Sequence, residues 1–271
     1  MLSFLCCLFF LFYHVFYPLS ILFFLTFRKN QIKGDEWQVW IEYIDGVSGD
    51  DLTIDMFEQA AAGLGRFQGR LYKEKPWEVH NISCFTQVGF AENYYTAHLT
   101  HARKYNYIRT KGCEIPEHLR KMFIDTDNEL EAIYSNNTMP VVLCHRNFWA
   151  DNIIFSNRET IAIDWDGAGW GYIGEDIVEF ITDKVSRKYI NLDKQYFEEL
   201  YRRLVTAYLK GFTEYADITA FDSSYIWKMF VIRTGYGIMI DRYMDAQSAA
   251  RKSLIIKMIQ RLYEMKDIKI N

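Results

Sequence analysis

Hydrophobic and polar positions divide this chain into an apolar head, a long helix-patterned body and, within that body, a short strand-patterned block. Met1 to Phe27 contains no Asp, Glu, Lys or Arg and carries ten aromatic residues. Its apolar positions run all round a helix rather than along one stripe, and a bilayer crossing needs about 20 such residues. Arg28, Lys29 and Lys33 follow directly. Residues 1–27 are therefore expected to form a transmembrane helix, with the rest of the chain cytoplasmic. A cleaved leader fits less well, because the basic residues follow the apolar run and no small-x-small site comes after it. A buried helix and an upstream stretch read from a wrong start are the alternatives.

From Trp37 to Gly46 the pattern alternates and runs into a turn, which predicts a strand. Asp50-Asp51-Leu52-Thr53 is a helix start. Ile54 to Tyr72 then has helical spacing through Met56, Phe57, Ala60, Leu64, Phe67 and Leu71. Gly63, Gly65 and Gly69 on this helix point to close packing against another helix. Lys73 to Val88 is polar and loop-like, and Glu92 to Thr110 is expected to be helical. That helix carries His98 and His101 one turn apart, a conceivable metal pair without an evident third ligand. Pro116 to Ser135 is another helix, with Pro in its first turn.

The strand-patterned block follows. Pro140 to Cys144 is an apolar run leading into His145-Arg146-Asn147. A second run, Asn152 to Phe155, pairs across Ser156-Asn157-Arg158-Glu159 with Thr160 to Trp165 as a hairpin. Beyond Asp176 the expected elements are all helices: Glu175–Arg187, Leu192–Phe212, Ser223–Tyr243 and Gln247–Met265. Asp222, Ser223 and Ser224 form a good cap for the third.

Composition adds few constraints. The 271 residues are 50% hydrophobic and 24% charged, enough for one or two domains with a large core. A net charge of −4 gives no reason to expect a nucleic-acid partner. Cysteines at 6, 7, 84, 113 and 144 show neither paired nor zinc-type spacing, as in a reducing compartment.

The chemistry concentrates at the exits of the apolar runs. Asn152 and Asp164 stand at the two ends of the hairpin, where an amide and a carboxylate can face each other. Hard cations such as Mg2+ take oxygen ligands of this kind and complete their shell with water and phosphate. The alternative is structural: His145 and Asn152 brace a tight loop, and Asp164 caps a turn.

This block resembles the catalytic core of the aminoglycoside phosphotransferase and choline kinase family, relatives of the protein kinases. The family loop His-x-Asp-x-x-x-x-Asn stands here as His145-Arg146-Asn147-Phe148-Trp149-Ala150-Asp151-Asn152. The family's Ile-Asp-Trp-Glu-x-Ala-x-x-Gly-Asp-Pro-x-x-Asp-Leu stands as Ile163 to Ile177, with Asp164 and Asp176 at its first and last aspartates. The resemblance implies a mostly helical α+β fold, a kinase-like C-terminal lobe with a small catalytic-loop hairpin, over residues 37–265. It implies ATP as phosphoryl donor and Mg2+ held by Asn152 and Asp164. Asp176 would support the catalytic loop and His145 would brace it. Glu42, Tyr43 and Ile44 would form the hinge that meets the adenine.

Two departures stand out. Asn147 occupies the position of the family's aspartate base, and an amide has no comparable basicity. Asp151 is the one nearby stand-in, although it neighbours Asn152 and is expected to point elsewhere. Only 36 residues precede Trp37 and no glycine-rich loop is seen, so the small N-terminal lobe is expected to be largely missing. The implied activity is phosphoryl transfer to a hydroxyl of a small molecule, with Asp166, Glu175, Asp241 and Asp245 as candidates for recognising an amine on it. The alternatives are a catalytically silent relative that binds a nucleotide or protein partner, and a truncated one. Oligomeric state is not legible.

Overall fold

The computed structural model describes residues 27–33, 36–41, 43–75, 114–135, 140–157, 159–165, 168–188, 194–217 and 224–264. Residues 1–26, which hold nearly all of the expected membrane segment, lie outside them, as do Glu42, Asp166, and His98 and His101. No helix among the described residues is long and apolar enough to cross a membrane.

The first described element lies upstream of the expected hinge strand. Phe27–Lys33 is a strand (β1) paired antiparallel with Glu36–Ile41 (β2), with Phe27 opposite Ile41 and Lys33 opposite Glu36. Arg28, Lys29 and Lys33, which follow the expected membrane segment, are strand positions. Two segments separated by a short polar link can satisfy each other's backbone groups, so the expected hinge strand has a partner upstream. After the hinge, Val47–Ser48 (β3) pairs with Ile153–Ser156 (β5), and β5 pairs with Glu159–Ala162 (β6). The hinge exit is thereby tied to the hairpin that carries Asn152 and Asp164.

The helix Ile54–Glu74 (α1) begins as its sequence requires, with Thr53 Oγ1 accepting from the Met56 amide. It lies along Lys194–Thr213 (α4) at backbone-contact distance. A Cβ on Gly65 would stand 2.0 Å from the Tyr208 carbonyl oxygen, and one on Gly211 would stand 2.3 Å from that of Ala62. Small residues on both helices are what permit this approach. Glu117–Ser135 (α2) precedes Val141–Cys144 (β4).

Gly169–Tyr172 is a further strand (β7), antiparallel to β4 with Cys144 opposite Gly169 and Val141 opposite Tyr172. The sequence pattern did not announce it. Glu175–Lys188 (α3) starts directly after it. The expected single helix over 223–243 is three consecutive pieces: Ser224–Phe230 (α5), a π-helical stretch Val231–Met239, and Ile240–Asp245 (α6). The wider turn coincides with Thr234, whose hydroxyl bonds Thr182 on α3 at 2.8 Å, and with Gly235, where a Cβ would stand 2.4 Å from the Phe123 ring. Ala249–Glu264 (α7) ends the described chain.

The core is one continuous cluster running from Phe57 and Leu64 on α1 through Phe148, Phe180 and Tyr208 to Ile259 on α7. Phe57 stacks on Phe180 at 4.4 Å and Phe180 meets Phe148 edge-on at 5.1 Å. The loop bearing Asn147 is thus anchored in the core through Phe148.

Candidate active site

The site is built on the loop from His145 to Asn152, which leaves β4 and ends in a single 3-10 turn, Ala150–Asn152. Arg146 takes φ +64°, a left-handed conformation that turns the chain sharply at the strand exit. The turn is held from beneath by Asp176, which is almost fully buried. Its carboxylate accepts the His145 amide at 2.8 Å and the Arg146 amide at 2.9 Å. Gln68 Nε2 on α1 donates to the same carboxylate at 2.9 Å and to the Leu143 carbonyl at 3.1 Å. Tyr208 fixes the Gln68 amide by donating to its Oε1 at 2.6 Å, while accepting from the Gly174 amide.

His145 is buried. Its Nε2 lies 2.8 Å from the Ile163 carbonyl oxygen, and its ring tilts over Trp165 at 4.3 Å. It therefore links the loop to the residue that precedes Asp164. Asn152 closes the other side, donating from Nδ2 to the Asn147 carbonyl at 2.9 Å, while its own carbonyl accepts the Ile163 amide at 2.9 Å. Asp164 is exposed at φ +62°. Asn147 Nδ2 donates to Asp164 Oδ2 at 3.2 Å. Asn147 therefore contacts both Asn152 and Asp164.

These residues fit a hard divalent cation. With its nitrogen committed to the Asn147 carbonyl, the Asn152 amide offers its oxygen, and exposed Asp164 offers a carboxylate. One or two protein oxygens plus phosphate is the usual provision for Mg2+.

Other expectations fare differently. Asp151 Oδ1 lies against Gly49 at the β3 exit, 2.7 Å from where a Cβ there would be. Of the hinge trio, Tyr43 is 88% exposed and Ile44 half-buried, while Glu42 is not described. Glu175 is not a surface acid. It is buried, accepts the Tyr172 amide at 2.7 Å, and burial raises its pKa to about 8. A neutral carboxylic acid turned toward its own strand exit is a poor recogniser of an amine. Asp241 is half-buried and Asp245 exposed, both on α6.

Two loop supports escaped the sequence reading. Asp183 accepts the Ala150 amide at 3.0 Å. Glu179 pairs with Arg233 from the π-helical stretch, and the Phe148 amide favours its ionised form. The signal was present, since 176, 179 and 183 fall on one face of a helix, but only Asp176 belongs to a motif. Burial pushes Asp176 up to about 6 against the pull of its two backbone amides, which leaves it ionised at neutral pH. Glu179 is raised to about 7 by burial, with Arg233 opposing.

Comparison with known proteins agrees with this architecture. No curated protein matches the chain in sequence. An amicoumacin kinase solved in complex with AMP-PNP, Ca2+ and Ami superposes with a TM-score of 0.57 at 16% identity, over 97% of this chain and 77% of the other. A choline kinase from Cryptosporidium parvum Iowa II superposes with a TM-score of 0.50 at 14% identity, over 87% and 73%. At such identities the likeness speaks for the fold alone. The model of the phosphotransferase enzyme family matches residues 28–218, well over half of the chain. The chain belongs to the APH phosphotransferase enzyme family.

Proposed function

We propose that this chain binds ATP with Mg2+ at Asn152 and Asp164 and transfers the γ-phosphoryl group to a hydroxyl of a small, amine-bearing molecule, slowly for its family. The carrying observation is the contact set of Asn147, Asn152 and Asp164 on a loop clamped by Asp176. Mg2+, when bound, would neutralise charge on the phosphates. The remaining work is positioning, which dominates phosphoryl transfer. The acceptor oxygen forms its bond to the γ-phosphorus as the bond to the β-phosphate oxygen breaks, and ADP leaves. The hydroxyl proton passes to solvent, because the Asn147 amide cannot take it. Loss of base assistance is worth about 10²–10⁴-fold.

The phosphotransferase unit on this reading starts before residue 37, since β1 pairs with β2 and the family match begins at residue 28. Tyr43 and Ile44 would lie along the adenine. A second reading, a silent relative that binds nucleotide without turning it over, is favoured by one observation: Asn147 donates its amide to Asp164.

The test is ADP release from the full chain with a panel of amino alcohols, for wild type, Asn147→Asp and Asp164→Ala. Slow turnover that rises at least a hundredfold in Asn147→Asp and vanishes in Asp164→Ala supports the proposal. Silence of both wild type and Asn147→Asp, in folded protein that binds nucleotide, leaves the second reading.

A further inference from the structure

One face of α3 runs beneath the whole loop. Asp176, Glu179 and Asp183 are all buried there, at 1%, 6% and 2% exposure. Burying a carboxylate is costly unless it is paired or hydrogen-bonded. Asp176 accepts the loop amides of His145 and Arg146 and Asp183 accepts that of Ala150, while Glu179 between them pairs with Arg233. The intervening Trp149 amide turns back to the Asn147 carbonyl at 3.0 Å. That carbonyl also receives the Asn152 side chain. Holding the Ala150 amide on α3 therefore helps set where the Asn147 carbonyl stands, and with it where Asn152 is held. Glu179 is fixed in turn by Arg233, and the adjacent Thr182–Thr234 bond docks the π-helical stretch on α3 at the same level.

We infer that Glu179 and Asp183 are positioning residues for the nucleotide site. They hold the second half of the loop so that Asn147 and Asn152 face Asp164. This rests on the function proposed above. Asp176 alone fixes only the first turn of the loop, and neither Glu179 nor Asp183 meets the reacting atoms.

The test begins with amide hydrogen exchange on the full chain, which needs no ligand. Asp183→Ala should speed exchange across 145–152 at least tenfold, with α4 and α7 unchanged. Asp183→Asn keeps an acceptor oxygen and should stay within about threefold of wild type. Glu179→Ala repeats the test at Phe148 should Asp183→Ala fail to fold. Unchanged loop exchange, or acceleration spread equally over α4 and α7, would overturn the inference. The second arm is Mg2+-dependent ATP affinity, expected to fall about 10- to 100-fold in Asp183→Ala and to recover in Asp183→Asn. Faster loop exchange with unchanged affinity would overturn the positioning role. A wild-type chain that binds no ATP would overturn the functional reading and that role together, while the exchange arm would still report whether these carboxylates clamp the loop.

Discussion

The two sides of the 145–152 loop are built on opposite principles. The inner side meets α3 and α1 through buried carboxylates and a buried amide, each with several partners: Asp176 with three donors, Gln68 with Leu143, Asp176 and Tyr208. The outer side presents Asn147, Asn152 and exposed Asp164 through single bonds of 2.9–3.2 Å, at the edge of solvent. Removing one partner from a buried network strands the others and costs stability. Removing one from the outer side strands little, and its effect is felt in binding and chemistry. The difference separates residues that make the site from residues that use it.

The sharpest way to press this comparison is Asn147→Asp. It should raise turnover by about 10²–10⁴-fold, while shifting the Tm without ligand only slightly downward, because a second carboxylate then stands beside Asp164. A large loss of stability instead would place Asn147 with the inner side. Asp176→Ala should do the reverse. It leaves the His145 and Arg146 amides without their acceptor and Gln68 Nε2 with only the Leu143 carbonyl, which at about 1–3 kcal/mol per stranded group costs roughly 2–5 kcal/mol. Urea unfolding measures it, and a cost below about 1 kcal/mol would mean that the loop does not depend on this carboxylate.

A smaller effect is expected where α1 meets α4. Gly65→Ala inserts a methyl 2.0 Å from the Tyr208 carbonyl oxygen and should cost about 1–3 kcal/mol by overpacking, moving Tyr208 and hence Gln68. Thermal unfolding gives the cost, and an unchanged Tm would show that the helices can part without loss. The mildest test is pH. Glu175, Glu179 and Asp176 have folded pKa values raised to about 8, 7 and 6, chiefly by burial. The folded chain therefore holds protons that the unfolded chain releases near pH 4. Their contribution is complete below that pH and is lost as pH rises through about 6 to 8. The Tm should fall from pH 5 to pH 9, and Glu175→Gln should flatten the upper part of that fall. A Tm that rises over this range would contradict burial as the dominant cause.

What the sequence disclosed follows the same division. The outer residues were legible because chemistry restricts them: an amide and a carboxylate at the ends of one hairpin, in motifs that resemble a known family. The helices were legible from apolar spacing and from caps such as Thr53. Of the inner supports, Asp176 and His145 were legible through the same motifs, and Gln68, Glu179 and Asp183 were not. Glu179 and Asp183 have the composition of a solvated helix face, and only the loop packed over them reveals their burial. Strand β7 was hidden because Gly169-Trp170-Gly171-Tyr172 is short and glycine-rich. Gly171 is needed there, since a Cβ would collide with Glu175 Oε2 at 2.6 Å and Cys144 Sγ at 2.8 Å. The π-helical stretch was read as ordinary helix, because its apolar periodicity barely changes over nine residues. Strand β1 was overlooked because its basic residues read as the flank of the apolar head.

The central claim is that Asn152 and Asp164 form a working Mg2+–nucleotide site. Thermal unfolding of the full chain, with and without Mg2+ and ATP, tests it most directly. At about 100 times the dissociation constant, ligand should add roughly 2.7 kcal/mol of stability. A Mg2+-dependent rise in Tm is expected for wild type and none in Asp164→Ala. A folded wild-type chain with no shift, or a shift that survives Asp164→Ala unchanged, would contradict it.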